Sequence, residues 1–309
     1  MEFSKYTLGT AQLGIDYGIA NLNGKPDYNT SIKILEYAWN NGINVFDTAP
    51  VYGNCEELIG SFIESRTKND IKNIVIISKL PQVKVRGNYN FTKVYNFIKK
   101  QLSESLKALN INKLPIYLLH NPSDIFLNDG LVIDCLSQIK KEGLIEKIGI
   151  SCYQPKEVEA ALNFKEINAI QVPINIFDHR LLKSGLLKKL KSRDYLIFAR
   201  SIYLQGLFFI NPKSLSKNYH FAKKPLVRLN IIAKEFKIEI DKLALLFVRG
   251  IPEISSIIIG AEKLDQLKRN LELFKEDSLP EEIYNRILKE FSSLPEIIIN
   301  PQLWNKGEN

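Results

Sequence analysis

Short apolar runs alternate with amphipathic segments along almost the whole chain. The strands of a parallel sheet are buried on both faces, so a short apolar run bounded by polar residues predicts such a strand. The runs that fit this pattern are Thr7–Gly9, Asn44–Phe46, Ile74–Ile77, Ile116–Leu119, Ile145–Ile150, Ala169–Val172, Tyr195–Ala199 and Ile257–Ile259.

The segments between these runs place apolar residues at helical steps, which predicts helices with one buried face. They are Thr30–Asn41, Phe91–Leu109, Asp129–Glu142, Pro155–Leu162, Leu181–Lys191, Leu226–Phe236 and Leu264–Phe274. Eight strands with crossover helices predict a parallel sheet closed into a (β/α)8 barrel, with Pro280–Leu294 as an added C-terminal helix. A doubly wound open sheet is the alternative, but the chain has no G-x-G-x-x-G turn for dinucleotide phosphates.

Length and composition are those of one globular domain. The 309 residues are 45% hydrophobic and 25% charged, which provides enough apolar surface to bury a sizeable core. Because no low-complexity linker divides the chain, we predict a single domain, 1–309. The polar connection Leu204–Lys224 is predicted to form a loop over one face of the barrel.

The formal net charge of +8 suits nucleic acid, an anionic membrane surface or a phosphate-rich small ligand. The lysine pairs Lys99-Lys100, Lys140-Lys141 and Lys188-Lys189 lie in helix-like segments without interleaved aromatic residues, which indicates solvated faces. No stretch approaches the roughly 18 apolar residues that span a bilayer. We therefore expect neither nucleic acid nor a membrane as a partner.

The cysteines Cys55, Cys135 and Cys152 lie far apart, with no C-x-x-C pair and no signal peptide. We expect the three thiols to be reduced, because disulfides are typical of proteins in oxidising compartments. We expect a cytoplasmic protein. The histidines lack the close ligand spacing of a zinc site, so no metal is expected.

Polar residues follow several of the predicted strands directly. Asp47 and Tyr52 follow the second strand, Lys79 ends the third, and His120 follows the fourth. In parallel barrels active sites gather at the carboxyl ends of the strands, so neighbouring strands deliver these four side chains to one rim. Each residue alone is weak evidence, and it is their joint placement that predicts a catalytic site.

The same constellation resembles the aldo-keto reductase superfamily, in the run from Asp47 to Gly53, then Lys79, then His120. Further segments fall in the order of that family: Leu8–Gly14, Ile148–Ser151, Gln171–Asn175, Gln205–Leu207 and Ile259–Ala261 through Asn270. The resemblance spans nearly the whole chain. It implies an NAD(P)(H)-dependent oxidoreductase that reduces aldehydes or ketones, or oxidises the matching alcohols.

The resemblance also gives the four residues their roles. Reduction of a carbonyl by hydride builds negative charge on oxygen, so the site needs a proton donor there, and Tyr52 fits that role. A free phenol titrates near about 10, and Lys79 is expected to favour the phenolate. Asp47 holds Lys79 charged and in position, and His120 orients the carbonyl.

By resemblance, Ser151 and Gln171 hold the nicotinamide carboxamide. Cys152 stands where the family often has Asn, and Arg200 stands where an aromatic residue commonly stacks on the nicotinamide. A guanidinium also stacks through its plane. Its charge lies near a ring that is cationic when oxidised, so Arg200 is expected to favour the reduced cofactor.

The eighth strand leads through Gly260 into the helix Leu264–Phe274, whose N-terminal amides suit a phosphate. Lys263, Gln266 and Asn270 are the expected contacts to the adenosine end. Because Lys263 and Arg269 are cations near the expected position of a 2′-phosphate, NADP(H) is favoured over NAD(H).

The expected partner is a small carbonyl or alcohol substrate. A sugar-like substrate would suit the polar and aromatic residues Asp16, Tyr17, Tyr153 and Tyr203, which alternatively only pack at the rim. The alternative function is a nicotinamide-binding regulatory or sensor protein on the same fold without significant turnover, and Cys152 and Arg200 leave room for it. Nucleic-acid binding driven by the positive charge is a third hypothesis. The oligomeric state does not follow from the sequence.

Overall fold

Eight parallel strands close into a barrel in the computed structural model, which describes residues 3–304. The strands are β1 Tyr6–Gly9, β2 Val45–Asp47, β3 Val75–Leu80, β4 Leu114–Leu119, β5 Ile145–Ser151, β6 Ile167–Pro173, β7 Leu196–Arg200 and β8 Ser256–Gly260. Each strand pairs in parallel with the next, and β8 pairs with β1. The predicted (β/α)8 barrel is confirmed, while the two ends of the predicted domain 1–309 lie outside the described residues.

Helices surround this barrel. They are α1 Ala11–Gly14, α2 Tyr28–Asn40, α3 Cys55–Glu64, α4 Lys68–Asn73, α5 Phe91–Ala108, α6 Leu131–Lys141, α7 Pro155–Ala161, α8 Arg180–Lys183, α9 Leu186–Lys191, α10 Lys223–Glu235, α11 Ile240–Arg249, α12 Leu264–Lys275, α13 Glu281–Glu290 and α14 Glu296–Ile299. Short 3₁₀ segments lie at Pro122–Gly130, Leu204–Phe209, Lys217–Ala222 and Pro301–Leu303. The predicted C-terminal helix Pro280–Leu294 corresponds to the shorter α13.

Several helices differ from the sequence-based predictions. The predicted helix Leu181–Lys191 is broken into α8 and α9 at Gly185, which has a φ of +70°. The predicted start at Asp129 is wrong because Asp129 itself has a positive φ, so α6 begins at Leu131. Helices α3 and α11 were not predicted at all.

The apolar core is divided into two layers. Most buried side chains pack between the strands and the surrounding helices. A smaller cluster fills the barrel itself: Val45, Val75, Ile77, Ile116, Leu118, Ala169, Phe198 and Ile258. Because side chains of a strand alternate between its two faces, each strand contributes every second residue to the barrel interior.

This alternation fixes where the polar residues lie. Two residues after Val45, Ile77 and Phe198, the same inward face of the strand carries Asp47, Lys79 and Arg200. Ala169 is followed at the same step by Gln171 on β6. A polar layer therefore lies above the apolar cluster, at the carboxyl end of the barrel.

The lysine pairs lie on helix surfaces. Lys99 and Lys100 of α5 are exposed, as are Lys188 and Lys189 of α9, which is the solvated arrangement that the sequence predicts. Within residues 3–304, no helix is both long and apolar enough to cross a membrane.

Gly149 on β5 is a position where the barrel interior tolerates no side chain. A Cβ there would lie 2.3 Å from Leu118 Cδ2 and 2.5 Å from the carbonyl oxygen of Ala169. We expect Gly149→Ala to lower the free energy of unfolding by about 1–3 kcal/mol, because overpacking forces shifts of neighbouring strands. Urea denaturation measures this change. Gly250→Ala is the control, since its Cβ comes no closer than 3.3 Å to another atom. An equal effect of the two substitutions would contradict the prediction.

Candidate active site

A buried ion pair joins the ends of β2 and β3. Lys79 Nζ donates hydrogen bonds to Asp47 Oδ1 at 2.8 Å and Oδ2 at 2.9 Å, and to the carbonyl oxygen of Thr48 at 2.9 Å. The Lys79 side chain is 0% exposed and that of Asp47 is 7% exposed. Adjacent strands in parallel register place the two residues at the same edge of the sheet. Asp47 and Lys79 are thus in direct contact, and the role of Asp47 in positioning Lys79 for catalysis stays a prediction.

The ion pair is extended by β5 and β6. Gln171 Nε2 donates to Asp47 Oδ1 at 2.7 Å, and Ser151 Oγ donates to Gln171 Oε1 at 3.4 Å. The four side chains Lys79, Asp47, Gln171 and Ser151 thus form one hydrogen-bonded chain across the barrel. The residues expected to hold a nicotinamide carboxamide are therefore linked directly to the predicted catalytic residues.

Tyr52 lies in the turn between β2 and α3. This turn packs against the backbone of Gly14, where an added Cβ would lie 2.0 Å from the carbonyl oxygen of Tyr52. Gly53 follows with a φ of +64° and turns the chain into α3. Two glycines thus let the turn approach the loop after β1 closely, and this contact positions Tyr52 over the barrel end.

Tyr52, Lys79 and His120 lie together. Lys79 Nζ lies 4.9 Å from the centroid of the Tyr52 ring, and the rings of Tyr52 and His120 meet edge to face with centroids 5.9 Å apart. His120 follows β4 directly, and its backbone N–H donates to the carbonyl oxygen of Leu80 at 3.1 Å. The structure therefore brings all four residues of the predicted tetrad together.

The phenol of Tyr52 is held in its protonated form. Burial, and next to it the negative charge of Asp47, raise the pKa of Tyr52 well above its ordinary value, while the charge of Arg200 lowers it. The sequence suggested that Lys79 would lower the pKa of Tyr52. The structure shows the opposite net direction, because the charge of Lys79 is paired with Asp47 and because burial disfavours the phenolate.

His120 is neutral at physiological pH. Burial, together with the positive charges of Lys79 and Arg200, lowers the pKa of His120 to about 4. A neutral imidazole has one N–H donor and one acceptor nitrogen. It can therefore donate a hydrogen bond to a substrate oxygen without carrying charge.

Arg200 ends β7 and brings a second cation to this region. Its Nη2 donates to the carbonyl oxygen of Cys152 at 3.0 Å and its Nη1 to Ser201 Oγ at 3.2 Å. The guanidinium carbon lies 4.2 Å from the centroid of the Tyr153 ring, which is a cation–π contact. The charge of Arg200 thus meets a carbonyl, a hydroxyl and an aromatic face, whereas that of Lys79 meets a carboxylate.

A cavity of about 1160 Å³ extends from the tetrad toward α12. Asp47, Tyr52, Gln171 and Arg200 line one part of it, and Gly260, Gln266, Arg269 and Asn270 line another. The loop after β7 borders the cavity, and the carbonyl oxygen of Gln205 in this loop accepts from the N–H of Ile19 at 2.9 Å. The loops after β1 and β7 are therefore joined beside one continuous cavity.

Gly260 leaves room for a neighbouring side chain at the end of β8. A Cβ there would lie 1.8 Å from Gln12 Oε1. Gln12 Nε2 donates to Glu262 Oε2 at 2.6 Å. Gln12 was not singled out in the sequence, although it lies inside the family-like segment Leu8–Gly14, which was the available signal.

Polar groups at the start of α12 form hydrogen bonds within the protein. Gln266 Oε1 accepts from the backbone N–H groups of Glu262 at 3.0 Å and Lys263 at 3.2 Å. Asn270 is buried, where Tyr203 Oη donates to its Oδ1 at 3.1 Å. Gln266 and Asn270 line the cavity as expected, whereas Lys263 is exposed and lies outside the lining.

The residues suggested for substrate contact separate into two groups. Tyr17 and Tyr203 line the cavity, and Tyr153 contacts Arg200. Burial raises the pKa of Tyr17 to about 12. Asp16 is exposed, and its Oδ1 accepts from the backbone N–H of Lys25 at 2.9 Å.

Metal ligands do not cluster in the part of the chain that the structure describes. There, no three His, Cys, Asp or Glu side chains lie close enough together to hold a metal ion. The three cysteines are buried and free. The polar groups next to the tetrad are the amide of Gln171, the hydroxyl of Ser151 and the guanidinium of Arg200.

Comparisons with known proteins agree with this fold. The model of the aldo/keto reductase family matches residues 5–289. A relative described as an NADH-specific methylglyoxal reductase of Escherichia coli is 24% identical over 299 residues, which cover 88% of this chain and 90% of the relative. A D-threo-aldose 1-dehydrogenase of a Pseudomonas species is 22% identical over 300 residues, which cover 85% of this chain and 90% of the relative.

A solved structure has the same fold. The holo form of an aldo-keto reductase from Bacillus halodurans superposes with a TM-score of 0.74 at 20% identity, covering 96% of each chain. The family match spans all eight strands of the barrel and the whole predicted tetrad. The chain belongs to the aldo/keto reductase family.

Proposed function

We propose that this protein is an NAD(P)(H)-dependent oxidoreductase that reduces aldehydes or ketones, or oxidises the matching alcohols, with Tyr52 as the proton donor. The observation that carries this proposal is the position of Tyr52 and His120 beside the buried Lys79–Asp47 pair. These groups line or adjoin a cavity that continues to α12. Membership of the aldo/keto reductase family supports an oxidoreductase activity.

The cavity fits a nicotinamide dinucleotide. Its volume of about 1160 Å³ exceeds the range of about 300–1,000 Å³ usual for sites of drug-sized ligands. Gln171 and Arg200 line the cavity and would hold the nicotinamide end, where Ser151 donates to Gln171, and Gly260, Gln266 and Asn270 would hold the adenosine end. A bound dinucleotide supplies the hydride, while the protein supplies binding, orientation and electrostatics.

Tyr52 is suited to donate a proton to the carbonyl oxygen of a substrate. Its raised pKa keeps the phenol protonated before reaction. The donor becomes a phenolate as the alcohol forms, and the neighbouring charge of Arg200 favours that anion. Asp47 pairs with Lys79 within the barrel, and an ammonium with a carboxylate partner is less costly to bury than an isolated one.

His120 would orient the substrate. As a neutral imidazole, it can donate one hydrogen bond to the carbonyl oxygen while Tyr52 donates the proton. Two donors at one oxygen stabilise the negative charge that develops there. Tyr17 and Tyr153, which lie beside Arg200, would form an aromatic and hydroxyl-bearing wall for the rest of the substrate, whereas Tyr203 contacts Asn270 at the other end of the cavity.

We propose a small carbonyl compound or a sugar-like carbonyl as the substrate class. The names of the Escherichia coli and Pseudomonas relatives refer to methylglyoxal and to an aldose, and both are small and polar. Nucleic acid is not proposed as a partner, since the lysine-bearing helix faces lack a second feature that would recognise it. A cytoplasmic location stays a prediction, with which the free cysteines agree.

The choice of dinucleotide depends on the charges at the adenosine end. NADP(H) is the prediction from the sequence, and it requires Lys263 and Arg269 to be free to meet a 2′-phosphate. Lys263 is exposed and outside the cavity lining. The Escherichia coli relative is described as NADH-specific. The choice between NAD(H) and NADP(H) therefore depends on the contacts of Arg269.

Replacing the proton donor tests the proposed function. We expect Tyr52→Phe to lower the rate of carbonyl reduction by about 10²–10⁴-fold, because the general acid is removed. The measurement is the absorbance of the reduced dinucleotide with a panel of aldehydes and aldoses. Binding of the dinucleotide should be retained within about threefold, since the ring is kept.

Tyr28→Phe is the matched control, because it removes the phenol of an exposed tyrosine of α2 that does not line the cavity. An equal loss of the carbonyl-reduction rate in both variants would contradict the role of Tyr52 as the proton donor. Tight dinucleotide binding by the wild-type protein with no turnover of any substrate would instead favour the regulatory or sensor function.

The low pKa of His120 predicts a pH-dependent stability. Between pH of about 6.5 and 4, a histidine of the unfolded chain binds a proton that His120 does not bind, so the free energy of unfolding falls as the pH falls. Urea unfolding across this window should show a shallower decline in His120→Gln. The difference in slope is at most about 1.4 kcal/mol per pH unit. Identical slopes would show that His120 binds protons equally in the folded and unfolded protein, which would contradict the lowered pKa of His120.

The charge of Arg200 predicts a preference for the reduced cofactor. In Arg200→Tyr, we expect the affinity for the oxidised dinucleotide to rise relative to the reduced one by about 3- to 10-fold, because a cation beside a cationic ring is removed. Calorimetric titration with each redox form measures this ratio. Arg200→Lys is the control, since it keeps the charge without the planar stack. An unchanged ratio in Arg200→Tyr would refute the expected effect.

A further inference from the structure

The end of the cavity away from the tetrad is acidic. Glu239, Asp241 and Glu262 line it together with a single guanidinium, that of Arg269. Glu239 is the residue before α11, Asp241 lies in its first turn, and Arg269 lies in α12. This part of the cavity was expected from the sequence to receive the adenosine end of a dinucleotide.

Arg269 is engaged by two carboxylates. Its Nε donates to Asp241 Oδ2 at 2.9 Å, and its Nη2 donates to Glu239 Oε2. A guanidinium has five N–H donors in a fixed planar arrangement. The N–H groups of Arg269 that face α11 already donate to carboxylates. A phosphate that sought Arg269 would have to compete with both carboxylates.

Glu262 adds a third negative charge that is fixed in place. Its Oε2 accepts from Gln12 Nε2 and its Oε1 from Gln266 Nε2, both at 2.6 Å. These partners are neutral amides, so they hold the carboxylate without cancelling its charge. Three carboxylates against one guanidinium leave this end of the cavity negative.

We propose that this protein selects NAD(H) over NADP(H), because Glu239 and Asp241 occupy Arg269 and, with Glu262, repel a 2′-phosphate. The inference rests on the proposed function, since it concerns the same cavity. A phosphate monoester carries about −1.5 to −2 charges at neutral pH, and bringing it into a cavity end lined by carboxylates is opposed by the repulsion of like charges. The 2′-hydroxyl of NAD(H) can instead donate a hydrogen bond to a carboxylate.

This inference departs from the NADP(H) preference predicted from the sequence. That prediction counted Arg269 as a cation available to the cofactor. The two acidic residues that engage it lie at the start of a different helix, α11, 28 and 30 positions earlier in the chain. Lys263, the other expected cation, lies outside the cavity lining.

The test measures the dissociation constants of NADH and NADPH in the absence of any substrate, by calorimetric titration. We expect the wild-type protein to bind NADH at least about tenfold more tightly than NADPH. In the double variant Glu239→Gln with Asp241→Asn, Arg269 is released and two negative charges are lost. Binding of NADPH should then tighten by about tenfold, while binding of NADH stays within about threefold.

Two controls isolate the role of Arg269. Adding Arg269→Gln to the double variant should abolish the gain in NADPH affinity, because the released cation is removed. Glu281→Gln removes an exposed carboxylate of α13 that does not line the cavity, so it should leave the ratio of the two affinities unchanged. Thermal unfolding of each variant identifies a folding defect separately from an effect on binding.

Salt gives an independent readout. The preference for NADH over NADPH should weaken as the ionic strength rises. Arg269 is 39% exposed, and salt screens exposed charges. Discrimination that does not change with salt would indicate a steric cause and overturn the proposal.

The failure of the inference and the failure of the proposed function give different results. If wild-type protein binds NADPH as tightly as NADH or more tightly, the selectivity is wrong while the oxidoreductase function stands. If it binds neither dinucleotide, both are wrong. If the double variant leaves the ratio unchanged although wild-type protein prefers NADH, the preference does not arise from Glu239 and Asp241.

Discussion

The buried pair of Lys79 and Asp47 is the interaction on which the rest of the site depends. Burying two charges costs several kcal/mol for each ion, and only good geometry with additional hydrogen bonds compensates for that cost. The carbonyl of Thr48 and the amide of Gln171 provide those bonds. Since the partners come from β2, β3 and β6, the pair requires a closed barrel in correct register.

Along the strands of the barrel, the inward residues that pack the apolar interior come before the inward residues that form the polar site. Inward residues such as Val45, Ile77 and Phe198 fill the interior, and the next inward residues carry charge or hydrogen bonds. The apolar cluster below lowers the local dielectric around the ion pair, which strengthens its attraction and raises the pKa of Tyr52. Stability and proton donation therefore have a common physical origin.

The sequence predicted the barrel and the positions of the tetrad because both follow from local patterns: apolar runs, helical periodicity and polar residues at strand ends. It did not predict the direction of the pKa shift of Tyr52, which depends on burial and on the pairing of Lys79 with Asp47. Nor could it show that Gln171 contacts Asp47, 124 positions away, or that α6 starts only after the positive φ of Asp129. These features arise from tertiary contacts, which no sequence window contains.

The cavity is electrically asymmetric. Near the tetrad, Arg200 contacts a carbonyl, a hydroxyl and an aromatic ring, so its charge remains available to a ligand. At α11 and α12, Arg269 is engaged by carboxylates, so negative charge dominates there. A dinucleotide in this cavity would meet a cation at its redox-active ring and anions at its adenosine ribose. Under the two proposals, the charge of Arg200 would discriminate between the redox states of the ring, and the carboxylates around Arg269 would discriminate between a 2′-hydroxyl and a 2′-phosphate. The two selections can therefore vary independently, because they depend on separate side chains on separate elements.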